Sequence, residues 1–350
     1  MKNRREFLKH AVVGTALATC AHTSSNAAAI TPAAEPSSGD GLIAIPRTDL
    51  RVSRLAFGAG AIHPDYDGLN VLKAVYDNGI NFFDHADFYG EEPFGRVLQK
   101  SKGLRDKLVI QSKCGIVRRE SGKLYVDSSR ANIINAAEGS LKRLGVGHLD
   151  LLLLHWPDLL AQPEEIGSAF SALRKEGKVR YFGVSNYVPS QIDLLSKQLD
   201  VPIVTNQIYL SLENSYLIAG GVAAVGNATR HAYNYVGAAP TIDYCRMNGI
   251  RLQAWSPLRG ELINPNSNSS KPIQDAHRVL KEIAAEKNVS PSALSLAWLL
   301  HHPASIVPIV SSSKLQHVAE NAAAMKVQLT RSEWYSLLDA TVGIKSRGPT

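Results

Sequence analysis

From about Leu55 the chain alternates short apolar runs with longer segments whose apolar residues recur at helical spacing. The runs predict strands at Leu55–Phe57, Gly79–Phe83, Leu108–Gln111, Leu149–Leu154, Tyr181–Val184, Val204–Gln207, Arg251–Ala254 and Ser305–Ile309. Between them the spacing predicts helices over Tyr66–Asn78, Phe94–Gln99, Ser128–Leu144, Pro163–Glu176, Pro189–Gln198, Thr241–Asn248, Gln274–Lys287 and Lys314–Ala324. The run from Leu149 to Leu154 is too short for a buried helix and suits a strand covered on both faces. Such alternation marks an α/β fold with a parallel sheet. No Gly-x-Gly-x-x-Gly follows the first strand, so the units are expected to close into a single-domain (β/α)8 TIM barrel rather than an open dinucleotide-binding sheet. Two further helices, Pro291–His301 and Arg331–Ala340, are expected as additions near the C-terminus.

Two stretches interrupt the rhythm. Residues 211–240 are long for a strand-to-helix connection and rich in Gly, Ala, Asn and Tyr, while 264–272 is rich in Asn and Ser. Both follow strands and belong at the C-terminal mouth of the barrel. The N-terminal segment does not join the pattern at all. Asn3-Arg4-Arg5-Glu6-Phe7-Leu8-Lys9 resembles the twin-arginine export motif, the apolar stretch from Ala11 to Ala21 is too short for a permanent anchor, and Ala27-Ala28-Ala29 offers the small residues a signal peptidase needs. The expected organisation is a signal peptide over 1–29 cut near Ala29, a Pro/Ser/Gly-containing linker over 30–44 and a barrel over 45–350, delivered to the periplasm.

Composition changes this picture little. The 350 residues are 45% hydrophobic and 20% charged, ordinary for a globular chain. Of the net charge of +7, +3 sits in residues 1–29, and no Lys/Arg run marks a nucleic-acid surface. No later segment is long and apolar enough to suggest a membrane span. Cys20 leaves with the signal, and Cys114 and Cys245 form neither a disulfide framework nor metal-ligand spacing. An export route that carries proteins already folded suits such a chain.

In a barrel of this kind the C-terminal ends of the strands converge on one mouth. There the sequence places Asp84-His85-Ala86-Asp87-Phe88-Tyr89-Gly90, Ser112-Lys113-Cys114-Gly115, His155-Trp156-Pro157-Asp158, Ser185-Asn186-Tyr187, Asn206-Gln207 and Trp255-Ser256-Pro257-Leu258. Asp84, Tyr89, Lys113 and His155 make a coherent set for carbonyl reduction. A phenol titrates near pH 10 in isolation, and a neighbouring ammonium favours its ionised form and so makes it a better proton donor. Asp84 would hold Lys113 charged, and His155 would polarise the substrate oxygen.

These residues are where a resemblance becomes specific. Phe83-Asp84-His85-Ala86-Asp87-Phe88-Tyr89-Gly90 resembles the aldo-keto reductase signature, and Lys113 in Gln-Ser-Lys-Cys-Gly and His155 in Leu-Leu-Leu-His-Trp-Pro-Asp match the remaining members of that family's catalytic tetrad. The resemblance runs from Leu55 to about Leu338 and is nearest to bacterial members of unassigned substrate. It implies a TIM barrel, a small carbonyl substrate, and NADPH (with NADH possible) bound extended. It further implies that Ser185, Asn186 and Gln207 meet the nicotinamide carboxamide, with Trp255 in place of the usual Tyr as the stacking ring. Ser256, Leu258, Arg259 and Gly260 fall on the pyrophosphate loop, where Arg259 interrupts a run of small residues. The adenosine-phosphate motif falls on Ser311, Ser312, Lys314, His317, Glu320 and Asn321, with His317 where an Arg usually grips the phosphate that distinguishes NADPH.

Two other functions stand beside this one. A metal-dependent barrel hydrolase would use Asp84, His85, Asp87, His155 and Asp158, but leaves Tyr89, Lys113 and the Ser-Asn pair without a purpose. A barrel that binds NADPH without turnover would use the 211–240 insertion as a docking surface.

Overall fold

The computed structural model describes residues 41–101, 103–219 and 240–342. The signal-peptide reading, most of the linker and residues 220–239 of the insertion lie outside the described residues. Eight parallel strands close into a barrel: β1 (Ala56–Gly58), β2 (Phe82–Asp84), β3 (Val109–Cys114), β4 (Leu149–Leu154), β5 (Val179–Ser185), β6 (Ile203–Tyr209), β7 (Arg251–Trp255) and β8 (Val307–Val310). Each pairs with its neighbour in sequence, and β8 returns to β1 through Ile309 beside Ala56. Every predicted strand and helix is present, with ends displaced by a few residues. The largest helical difference has a local cause: the helix expected from Gln274 begins at Lys271, because Pro272 at its start is preset for the first turn.

Side chains alternate across each strand, and this fixes what fills the barrel. On β3, Ile110 and Cys114 pack outward under the helices, while Val109 joins Phe82, Leu151, Leu153, Val204 and Val307 in a separate interior cluster. Phe82 and Phe83 show the same division on adjacent residues, one inside the barrel and one beneath the helices. Both are fully buried, which stabilises the fold by roughly 2–3 kcal/mol each.

Two hairpins were not foreseen. Ile43–Ala44, read as the end of a linker, pairs antiparallel with Arg51–Val52. Its Ile45, Leu50 and Val52 pack into the interior cluster and close the N-terminal end of the barrel. At the opposite end Ile116–Arg118 pairs with Leu124–Val126 in the connection after β3, and Ile116 and Leu124 face the mouth. Segments this short carry no usable periodicity, and the second interleaves its apolar residues with charges.

Candidate active site

The alternation that sends Ile110 and Cys114 outward sends Gln111 and Lys113 inward, and on β2 it turns Asp84 the same way. Lys113 is 1% exposed, and an ammonium this deep requires a counter-charge. Its Nζ lies 2.7 Å from both Asp84 oxygens and donates a third bond, also 2.7 Å, to the His85 carbonyl. All three N–H groups are thereby engaged within the barrel.

Tyr89 ends a tight turn, Asp87–Tyr89, that follows β2 and directs its hydroxyl toward His155 at the end of β4. Tyr89 Oη and His155 Nε2 are 3.3 Å apart, with the rings edge-to-face at 5.6 Å. The ammonium does not reach the hydroxyl; it sits 5.6 Å from the Tyr89 ring centre. Although the residue is 55% exposed at the rim, burial of its phenol end, with Asp84 and Asp87 close by, pushes its pKa up to about 12. The expected lowering by Lys113 is thus not what governs the phenol in this arrangement. Burial, with Lys113 adding to it, holds His155 down at about 3, so the imidazole is neutral at ordinary pH.

Beneath this group lies an amide network that sequence reasoning missed. Asp84 Oδ1 accepts from Gln111 Nε2 at 2.6 Å and from Gln207 Nε2 at 3.0 Å, besides Lys113. Gln253 exchanges bonds of 2.8 and 2.9 Å with Gln111, receives Gln207 at 3.0 Å and donates to Thr205 at 2.9 Å. A carboxylate offers acceptors only, so both glutamines must present their NH2 groups to it. Period-two spacing was the available signal: Gln111 lies two residues before Lys113, and Gln253 two before Trp255.

The ends of β5, β6 and β7 complete the mouth. Asn186 Nδ2 donates to Ser185 Oγ at 3.0 Å and the His155 carbonyl at 3.3 Å, while Asn186 Oδ1 accepts from Trp255 Nε1 at 2.9 Å. Trp255 stacks on Tyr209 with 4.5 Å between centres. Asn186 and Ser256 both adopt left-handed backbone, with φ of 63° and 52°, a strained choice for non-glycine residues that is concentrated at functional loops. Around these groups opens a cavity of about 620 Å³, lined by Asp84, Tyr89, His155, Ser185, Asn186, Gln207, Trp255, Ser256, Leu258, Arg259 and Ser311 among others. Gly260 sits just beyond, at φ 119°, where a Cβ would lie 2.1 Å from a Glu213 oxygen. Glu213, whose carboxyl is shifted upward by burial, accepts the Leu262 amide at 2.7 Å and so ties this loop to the connection after β6.

The chain matches the aldo/keto reductase family over residues 54–340. It is 34% identical over 310 residues to the uncharacterized oxidoreductase YcsN of Bacillus subtilis, covering 84% of this chain and 96% of that one. A protein named 6-dehydroglucose reductase from Agrobacterium fabrum is 33% identical over 308 residues, covering 84% and 96%. The crystal structure of the thermostable aldo-keto reductase Tm1743 with the inhibitor epalrestat superposes with a TM-score of 0.67 at 27% identity, over 85% of this chain and 99% of that one. The chain belongs to the aldo/keto reductase family.

As an aldo/keto reductase it is an oxidoreductase that uses a nicotinamide cofactor to reduce carbonyl compounds. The cavity fits such a cofactor: its lining combines the polar groups of Ser185, Asn186 and Gln207 with Trp255, Ser256, Leu258 and Arg259. The other residues that the sequence led us to expect at the cofactor make contacts of their own. Ser312 Oγ sits 3.3 Å from His317 Nδ1 and caps the Lys314 amide at 3.1 Å, Glu320 accepts from Gln316 on the same helix, and Asn321 is buried. Of this group only Ser311 reaches the described cavity lining.

Of the residues a hydrolase reading would draw on, Asp84 and His155 line the cavity, and none of His85, Asp87 and Asp158 is in its lining. Asp158 caps the Ser128 and Leu160 amides, and His85 Nδ1 accepts the Ala86 amide. Among the described residues no group of three or more His, Cys, Asp or Glu is placed to hold a metal ion.

Proposed function

We propose that Tyr89 is the general acid of this reductase and that Asp84, Lys113 and His155 support it. The observation that carries this reading is the Tyr89–His155 contact of 3.3 Å in the cavity, directly above the buried Asp84–Lys113 pair. A nicotinamide dinucleotide held by the cavity would supply the hydride for the carbonyl carbon. The chain's own residues handle the oxygen. A carbonyl oxygen seated between Tyr89 Oη and His155 Nε2 receives the phenolic proton as charge develops on it. Neutral His155 can hydrogen-bond at that position without adding a charge to a site that already holds Lys113. As the proton leaves, Lys113 is the cation nearest the phenolate, and Asp84 keeps that ammonium fixed.

For the cofactor, NADPH is the favoured form, with NADH accepted. Lys314 would supply the positive charge at the adenosine end, with His317 beside Ser312 as a hydrogen-bonding partner, and Ser185, Asn186, Gln207 and Trp255 would hold the nicotinamide. Fluorescence titration of the purified protein with NADPH and NADH, followed by turnover of an aromatic aldehyde, tests class and cofactor together. Binding without turnover would favour a sensing role instead. His317→Arg should raise the NADPH/NADH affinity ratio by providing a bidentate phosphate partner. We also propose export by the twin-arginine route, on the strength of Arg4-Arg5 followed by Phe7-Leu8-Lys9 and Ala27-Ala28-Ala29.

A further inference from the structure

Part of the cavity lining is apolar or aromatic. Phe88, Tyr89, Ile116, Leu124 and Trp156 belong to it. Leu124 and Trp156 are 44% and 47% exposed, an unusual solvent exposure for large apolar side chains grouped at one opening. The hairpin that carries Ile116 and Leu124 adds a charge. Its register sets Arg118 directly opposite Leu124 and Ile116 opposite Val126. Residues opposite each other, and residues two apart, share a face of an antiparallel pair. Arg118 therefore stands on the same face as Ile116 and Leu124, both of which line the cavity.

The guanidinium is poised rather than spent. It lies 5.0 Å from the centre of the Phe88 ring, and Arg118 NH1 gives a hydrogen bond of 3.1 Å to the Gly122 carbonyl. Among the described residues it has no ion-pair partner, whereas Arg105, Arg143 and Arg180 are each held by a carboxylate. Phe88 and Tyr89 meet edge-to-face with ring centres 6.0 Å apart. The guanidinium is thus no further from the Tyr89 ring than those two steps laid end to end. One substrate ring with a substituent at either side spans that order of distance.

We infer that Arg118 selects carbonyl substrates that have an apolar, ring-sized body and carry a carboxylate on the side away from the reacting carbonyl. The body packs on Phe88, Leu124 and Trp156, and the carboxylate pairs with the Arg118 guanidinium in the bidentate geometry that arginine favours. This rests on carbonyl reduction at Tyr89.

The test compares para-formylbenzoate with its methyl ester, two aldehydes of the same ring of which the ester is intrinsically the more electrophilic, so the ratio is compared between variants. The wild-type ratio of kcat/KM for acid over ester should exceed that of Arg118→Met at low salt. Arg118→Met, which keeps an apolar stem over Phe88, should lower that ratio by roughly fivefold to tenfold, the range of a partly exposed charge-assisted hydrogen bond. Arg118→Lys should restore part of it, and added salt should lower the wild-type ratio toward that of Arg118→Met. A wild-type ratio at low salt that Arg118→Met leaves unchanged would overturn the inference while leaving carbonyl reduction intact. Failure of the wild type to reduce either aldehyde would instead count against the reading of Tyr89 on which it rests.

Discussion

Lys113 Nζ stands 2.7 Å from each carboxylate oxygen of Asp84, and both residues lie almost wholly inside the barrel. The pair is a buried ion pair first and a neighbour of Tyr89 second. Removing one partner of such a pair leaves an uncompensated buried charge, which typically costs about 3–5 kcal/mol.

Asp84→Asn should therefore destabilise the protein by that order, and Lys113→Met introduced into it should recover part of the loss, because no bare ammonium remains. Urea denaturation of the two single variants and the double variant gives the coupling. Strictly additive losses would mean that the two groups do not stabilise one another.

Asp87 carries a pH prediction. Burial, with Glu91 adding to it, raises its carboxyl to about 6 against the pull of Phe88's amide, Arg143 and Lys113. Above that pH the group is ionised and contributes to holding the Tyr89 proton. Reduction should accordingly quicken as pH falls through about 6, where Asp87 becomes neutral and the phenol a stronger acid. The limb should vanish in Asp87→Asn. His155 stays neutral across this range, its pKa lying near 3, so it does not produce the same limb. Single-turnover rates between pH 5 and 8 read the effect directly.

Gln253 ties the two sides of the interior together. Gln253→Leu would strip partners from Gln111, Gln207 and Thr205, all essentially buried, at a cost of about 1–3 kcal/mol for each polar group left unpaired. The expected outcome is a lower denaturation midpoint together with weaker cofactor binding, since Gln207 loses one of its anchors. Unchanged stability would show that water or rearranged amides replace the network.

How much of this was legible in the sequence depends on length and on pattern. The Leu149–Leu154 strand stood out because six residues of nearly unbroken apolar character admit few other readings. Asp84, Tyr89, Lys113 and His155 could be placed at one mouth because each follows or ends a strand. Gln111 and Gln253 escaped notice because polar residues inside a strand look like a solvent face, and only barrel closure turns that face inward. Ile43–Ala44 and the Arg118 hairpin are too short for periodicity. The Asp84–Lys113 pair was expected, but the separation of that ammonium from the Tyr89 hydroxyl was hidden, because it is decided by inter-atomic distances and not by spacing along the chain.

Export should depend on the guanidinium pair and not on charge alone. Changing both Arg4 and Arg5 to Lys should leave folded protein in the cytoplasm, measured by cell fractionation. Undiminished periplasmic recovery would argue that these residues are not an export signal.

As the proposed general acid, the Tyr89 hydroxyl delivers the proton to the carbonyl oxygen. Tyr89→Phe removes that hydroxyl while leaving the Asp84–Lys113 pair and the residues proposed to hold the nicotinamide in place. Single-turnover oxidation of NADPH by the purified variant with a reactive aromatic aldehyde tests this most directly. Cofactor affinity should stay close to that of the wild type, and the rate should fall by about a hundredfold to ten-thousandfold. A rate near that of the wild type would contradict that role for Tyr89.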